Sequence, residues 1–258
     1  TIAGYTADKS EIPAVSGVKA KDQDRVETVT YRKDAQKAII RYVSTNGNRV
    51  LTTDEVTGKS GEAIAYSTTS QITEFKKQGY NLVSDEFTAG GAKVYDYDTA
   101  RDQVYTVTLS ERVEPVNPDN PSPQPNTPVT PGQPDSPRWP GTVENLDNKE
   151  SVSRTIHYVY EDGSKAKDDV VETLNFKRWS NVNLVTGHID FQDWTTNDDT
   201  FDKVVSPTIA GYTADKSEIP AVSGVQAKDQ DRVETVTYRK DAQKAVIRYV
   251  STNGNHVL

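Results

Sequence analysis

The sequence predicts a mostly β protein with one short helix, an α+β chain of β-rich domains set in series in an elongated arrangement. Three observations predict it. Short runs that alternate apolar and polar residues recur between Asn-Gly and Asp-Gly pairs, the pattern of half-buried strands. A single stretch, 68–79, has helical spacing. A proline-dense segment, 114–140, parts two strand-rich regions.

A long internal repeat sets the domain plan. TIAGYTADKSEIPAVSGV begins at Thr1 and again at Thr208, and a shift of 207 residues superimposes 1–51 on 208–258. Only three positions differ: Lys19 against Gln226, Ile39 against Val246 and Arg49 against His256. Even the solvated run AKDQDR is kept, so the likeness reflects duplication rather than packing. The period far exceeds the roughly 20–50 residues of a solenoid repeat and fits whole domains in series. The chain therefore reads as one repeat cut at an arbitrary phase, plus an overlap. Residues 1–33 are the C-terminal fragment of a β domain whose complete copy spans 149–240. Residues 34–113 form a different domain, 114–148 a linker, and 241–258 the start of a second copy of the 34–113 domain.

Within 34–113, AIIRYVSTNGNRVLTTDEV predicts a hairpin in which Ile40 and Tyr42 alternate with Ile39 and Val43, turning at Asn46-Gly47. TTSQITEFKKQGY predicts the helix. Thr68 or Thr69 caps it, Ile72 and Phe75 with the Lys76 stem make one face, and Gly79 ends it. YNLVSDEF and QVYTVTLSER follow as strands, and this order of hairpin, helix and strands is a β-grasp-like plan. Ten of the thirteen prolines fall in 114–140. Because proline removes backbone donors, this segment is expected to stay out of any sheet as an extended polyproline spacer spanning about 80 Å. Beyond it, 152–180 predicts a hairpin turning at Asp162-Gly163, Thr186-Gly187 punctuates a further strand-like stretch, and RVETVTYRK at 232–240 closes the domain. Arg25–Tyr31 and Ala245–Val250 are expected to present unpaired strand edges.

A net charge of −8 argues against nucleic acid, whose binding needs a basic patch. No apolar run approaches the roughly 20 residues of a membrane-spanning helix. The absence of cysteine removes thiol nucleophiles, disulfides and cysteine-ligated metals.

Several phrases resemble a known family. TIHYVYEDGSKAKDD, then QDW at 192–194, TFDKVVSPTIAGYTAD at 200–215 and VETVTY at 233–238 resemble the Mub repeat of lactobacillal mucus-binding proteins. Residues 36–113 resemble its partner MucBP domain through the IRYVSTNGN hairpin, TGKSGEAIAY and QGYNLVSDEF. The resemblance implies an exported adhesin on a Gram-positive cell wall, anchored to peptidoglycan through parts outside this segment. Repeats in series would bind host mucin glycans or glycoproteins. Two alternatives stay open: a structural stalk that projects a distal binding domain, and a protein-binding module that uses β-edge strands.

Tyrosine outnumbers phenylalanine 13 to 5, and tyrosine can stack on a sugar while its hydroxyl hydrogen-bonds. Tyr95 and Tyr97, which flank an acid, and Trp179 are the candidate ligand contacts, set against the ordinary role of tyrosine in a sheet. Asp96, Asp98 and Asp102 gather oxygen ligands for calcium, although the stretch lacks the EF-hand string and solvated turns are the default. His157 lies in an alternating strand and His188 follows a turn glycine, with no nucleophile in a catalytic order. The expectation is a binding protein, not an enzyme, with no cofactor beyond that calcium.

Overall fold

The computed structural model describes residues 1–249. Its elements in chain order are β1 (Tyr5–Ala7), β2 (Tyr31–Lys33), β3 (Ala35–Ser44), β4 (Val50–Lys59), α1 (Thr69–Lys77), β5 (Tyr80–Asp85), β6 (Gln103–Glu111) and β7 (Val113–Val116). After a short 3-10 turn at Gly141–Asn145 come β8 (Lys149–Tyr160), β9 (Lys165–Lys177), β10 (Ser180–Asn183), β11 (Ile189–Phe191), β12 (Val204–Val205), β13 (Tyr212–Ala214), β14 (Glu218–Ile219) and β15 (Arg232–Lys240). The fold is mostly β with one α-helix among the described residues, as its sequence predicts. The described residues divide into two compact units: 1–116 with 120–146 and 180–190, and 117–119 with 147–179 and the residues from Phe191 onward.

In the first unit, β3 to β6 form a mixed sheet in the order β4-β3-β6-β5, with the central pair β3 and β6 parallel and the outer pairs antiparallel. The crossover between the two hairpin halves runs through α1, which completes the β-grasp-like plan. Alternation decides which face is buried. Ala38, Ile40 and Tyr42 from β3 and Val107 and Leu109 from β6 are fully buried, and Ile72 and Phe75 of α1 close over them. Each of the Ile, Val, Leu and Phe side chains stabilises the fold by about 1.5–3 kcal/mol relative to exposure. Lys76 is exposed and takes no part in the helix face. The β3–β4 turn differs from the expected two-residue form. Ser44 N–H donates to the Arg49 carbonyl at 2.8 Å, and the left-handed residues are Gly47 and Asn48 rather than Asn46 and Gly47.

The proline-rich stretch corrects the expectation of a free spacer. β7 pairs antiparallel with β10, so that Pro115 stands opposite Asn181 and Val113 opposite Asn183. Pro115 is tolerated because β7 is an edge strand of the β11-β10-β7 sheet, where a missing N–H costs nothing on the open side. Further on, Trp139 N–H donates to the Thr127 carbonyl at 3.0 Å and Val129 N–H to the Pro137 carbonyl at 2.9 Å, which doubles the segment back on itself. Val129 and Trp139 then pack on Val116, Val143, Val182 and Leu184. Proline density forbids regular strands over most of 117–140, but apolar residues placed among the prolines still find a core. Through the same sheet, 180–190 groups with the first unit.

In the second unit the main sheet runs β13-β15-β8-β9, with β8 and β15 parallel and both outer pairs antiparallel. This is the strand order and polarity of the first sheet, and no helix crosses it among the described residues. The β8–β9 hairpin turns at Gly163, φ 80°, with Tyr160 N–H bonded to the Ser164 carbonyl at 2.8 Å. One face of β8 presents Val152, Arg154, Ile156 and Tyr158, all buried. Val152 packs with Leu174, Phe176, Phe201 and Val225, while Ile156 and Tyr158 pack with Ile219, Val236 and Tyr238.

The duplicated segment folds in two ways. RVETVTYRK is one nine-residue strand at 232–240, but at 25–33 only Tyr31–Lys33 is strand. β15 has β8 beside it through seven paired positions, whereas residues 25–30 have no strand partner among the described residues. Ile219 and Val225 are 3% and 4% exposed, but their counterparts Ile12 and Val18 are 50% and 70% exposed. The edge expected at 245–249 is exposed without strand structure, and the rest of the hairpin expected at 241–258 lies outside the described residues.

Candidate functional site

The sequence-predicted contact residues do not come together. Tyr95 is buried at 3% exposure in the core of the first domain, its ring lying over Gly58 where a Cβ would stand 2.1 Å from Cε2. Its backbone bonds Gly61 and Glu62, so the ring is closed to a ligand, which corrects the sequence expectation. Tyr97 is half exposed, but its ring rests on Gly4 and Gly61. Trp179, in the second unit, is 42% exposed.

The three aspartates do not converge either. Asp102 pairs with Lys37 at 2.9 Å, Asp96 accepts the Asp98 N–H at 3.1 Å, and Asp98 accepts the Ala100 N–H at 2.9 Å. Each carboxylate serves a turn or an ion pair. No group of three or more metal-ligating side chains lies together among the described residues. His157 pairs with Asp169 at 2.9 Å across the β8–β9 hairpin, and His188 closes the β10–β11 turn through its backbone.

The second unit holds a groove of about 370 Å³ beside the end of β9. The loop after Trp194 builds its wall. Thr195 exchanges both backbone hydrogen bonds with Lys177, at 2.8 and 2.9 Å, and the Thr196 hydroxyl donates to the Asn175 carbonyl at 2.8 Å. Asp198 turns the loop back by accepting the Thr200 N–H at 2.9 Å. Leu174 and Phe176, nearly buried, contribute the apolar lining, and Lys149, Glu150, Asn175, Lys177, Asn197 and Asp198 supply donors and acceptors around it. Lys177 is held by both oxygens of Asp119, at 2.9 and 3.0 Å. Lys228 bridges Glu150 and Asp147, and that pairing, Glu150 first, raises its ammonium above the ordinary lysine value. An apolar patch ringed by amides, hydroxyls and charges of both signs suits a neutral, polyhydroxylated ligand.

Next to this region, the Arg178 guanidinium lies 4.0 Å from the Phe191 ring and 4.3 Å from the Trp194 ring, and it bonds Asp147 at 2.9 Å. This stack braces the loop through cation–π contact. Sequence reasoning overlooked the groove because its walls come from 149–150, 173–177 and 196–198, which nothing local links. It also overlooked Arg154, although strict alternation along Val152, Ile156 and Tyr158 places position 154 inward.

Two domains of one strand order stand in a sequence that repeats over a long period. Residues 1–35 and 143–242 match the Muc B2-like domain, and residues 36–111 match a mucin binding domain. The chain belongs to the Muc B2-like family, and the segment similar to a mucin binding domain lies between the matched parts. Its fold is similar to that of the crystal structure of Mub-RV, at 26% identity and a TM-score of 0.63, over 80% of this chain and 100% of that one. It is also similar to a type 2 repeat of the mucus binding protein MUB from Lactobacillus reuteri, at 28% identity and a TM-score of 0.52, with the same shares covered. Among curated proteins none matches the chain. No helix among the described residues is long and apolar enough to cross a membrane.

Proposed function

We propose that this chain is a repeat of a bacterial cell-surface adhesin that binds mucin glycans by weak contacts, made strong by repetition. It acts outside the cell, held to the wall through parts beyond this segment, and it performs no catalysis. The observation that supports this best is the coverage of the whole of two Mub repeats by a chain that itself repeats after 207 residues. The groove beside β9 supplies the sugar contacts, with Trp179 as a further stacking face. Linked copies rebind at high effective concentration, so avidity exceeds single-site affinity by roughly 10²–10⁴ when the geometry allows.

The test compares the chain with a tandem of four copies on immobilised mucin, before and after enzymatic removal of the glycans. A tandem that binds much more tightly, and loses retention with the glycans, is the expected result. Equal apparent affinity for both would remove the multivalent mechanism. Retention that survives deglycosylation would point to an edge-strand contact with protein, and no retention at all to a stalk. Asn197→Ala in the chain is expected to weaken mucin retention about tenfold, equivalent to about 1.4 kcal/mol.

A further inference from the structure

The two copies of the duplicated segment share their hydrogen bonds but not their surroundings. Tyr5 pairs with Lys33 and Ala7 with Tyr31, as Tyr212 pairs with Lys240 and Ala214 with Tyr238. Asp34 N–H donates to the Gly4 carbonyl at 2.9 Å, and Asp241 N–H to the Gly211 carbonyl at 3.0 Å. The Thr6 hydroxyl reaches the Asp34 carboxylate at 2.5 Å, and that of Thr213 reaches Asp241 at 2.6 Å. Gly4 and Gly211 have φ of 73° and 80°. Yet Gly4 is buried and Gly211 is exposed.

What covers Gly4 is the domain that follows it. A Cβ on Gly4 would stand 2.5 Å from Tyr97 Cδ1 and 2.8 Å from Ser60 Oγ, whereas one on Gly211 meets nothing within 4 Å among the described residues. Asp34 spans the joint. Its N–H bonds Gly4 on one side, and its carbonyl accepts the Ser60 N–H at 3.0 Å on the other. Ser60 is fully buried and receives the Gln36 amide at 3.1 Å, while the Tyr97 ring also lies against Gly61. The β1–β2 end of one domain type is thus seated on the Ser60-Gly61 turn and Tyr97 of the other.

We propose that the Gly211–Asp241 face is a docking surface for a second copy of the domain 35–111, joined at Asp241 and seated through its own Ser60, Gly61 and Tyr97. Residues 208–241 repeat 1–34 with Gln226 for Lys19 as the one change, so every group that 1–34 brings to the first joint is present again, with the same hydrogen bonds around Gly211 and Asp241. Successive domains are then clamped at this joint rather than strung on a hinge. Tyr97 is a joint residue, and its exposed edge needs no sugar to account for it. This goes beyond the adhesive reading and holds whatever the ligand.

The test uses the chain extended after Leu258 by its own residues 52–258, which continues the period. The protein has no cysteine, so spin labels go to Lys167→Cys in the first copy and Lys76→Cys in the appended copy, both exposed positions. Electron–electron double resonance is expected to give one narrow distance distribution. It should broaden when the appended copy carries Tyr97→Ala, and equally with Gly211→Asn. Asparagine tolerates a left-handed φ, and in the unextended chain that variant should keep the parent melting temperature, which separates docking from folding. A broad distribution in the unsubstituted extended chain, or a narrow one kept by both variants, would overturn the proposal.

Discussion

Arg154 occupies a core position on β8 between Val152 and Ile156 and is 1% exposed. Its guanidinium bonds the Pro220 carbonyl at 3.0 Å, the Asp202 carbonyl and the Glu172 carboxylate, over the face of Phe201. Truncating one member of a buried pair leaves the other groups unsatisfied, so Arg154→Ala is expected to cost about 3–5 kcal/mol. Glu172→Gln should cost less, because the two carbonyls still hold the guanidinium. Urea unfolding followed by circular dichroism checks both, and equal losses would refute this ranking. In the first domain, Tyr66 donates to Asp54 and shares a hydrogen bond of 2.9 Å with Tyr42. Burial first, then the bond to Asp54, raises the Tyr66 phenol far above its ordinary value of 10.0, and burial likewise raises Tyr42. The sign follows: folded phenols keep protons that unfolded ones release, so this stabilisation is whole below pH 10 and is lost as pH rises beyond it. The urea midpoint should fall above pH 10, and Tyr66→Phe should flatten that fall; an unchanged slope would show that Tyr66 does not contribute to it.

At the scale of an element, RVETVTYRK offers an internal control, because residues 20–38 and 227–245 are identical. A proteolytic peptide from either copy has the same mass. Hydrogen exchange should therefore give that peptide a two-population isotope envelope, the protected half from β15 and the faster half from the copy in which 25–30 have no strand partner. A single envelope would mean that β8 contributes no protection. The end of α1 is another such case. Gly79 takes φ 94°, and a Cβ there would come within 2.8 Å of Leu184 Cβ and 3.1 Å of its carbonyl carbon. Gly79→Ala meets both the helix-stop conformation and a clash, and a loss of more than about 1 kcal/mol is expected in a thermal melt. The strand patterns, the helix and the Gly163 turn were all legible in sequence, since each rests on local alternation or on a residue that tolerates positive φ. The length of the β3–β4 turn was not, because Asn46 and Asn48 suit the left-handed conformation equally well.

At the scale of the molecule, the proline-rich segment separates the two readings of the repeat most sharply. A free spacer would accept replacement of 120–138 by a glycine–serine chain of equal length without loss of stability. The packing of Val129 on Val116, Val143 and Val182 predicts the opposite: a lower unfolding midpoint for the first unit. Trp139→Ala should reproduce much of that drop, and calorimetry of the two variants checks it. Little of the candidate groove was legible beforehand, since aromatic composition pointed to Tyr95, which the β-grasp-like core needs for itself. Trp179, singled out for its aromatic ring after Lys177-Arg178, is 42% exposed.

By itself, the sequence determined the duplicated ends, the hairpins of both domains, the helix of the first and the family they belong to, because repeats, periodicity and turn residues are properties of neighbours along the chain. Tertiary structure alone decided whether one nine-residue segment became a strand, whether a proline stretch entered a core and whether a tyrosine faced solvent. Each of those outcomes depends on a partner surface brought from far along the chain. β8 pairs with 232–238, while 25–30 have no strand partner among the described residues, and desolvation by a partner, rather than local dihedral preference, settles the conformation.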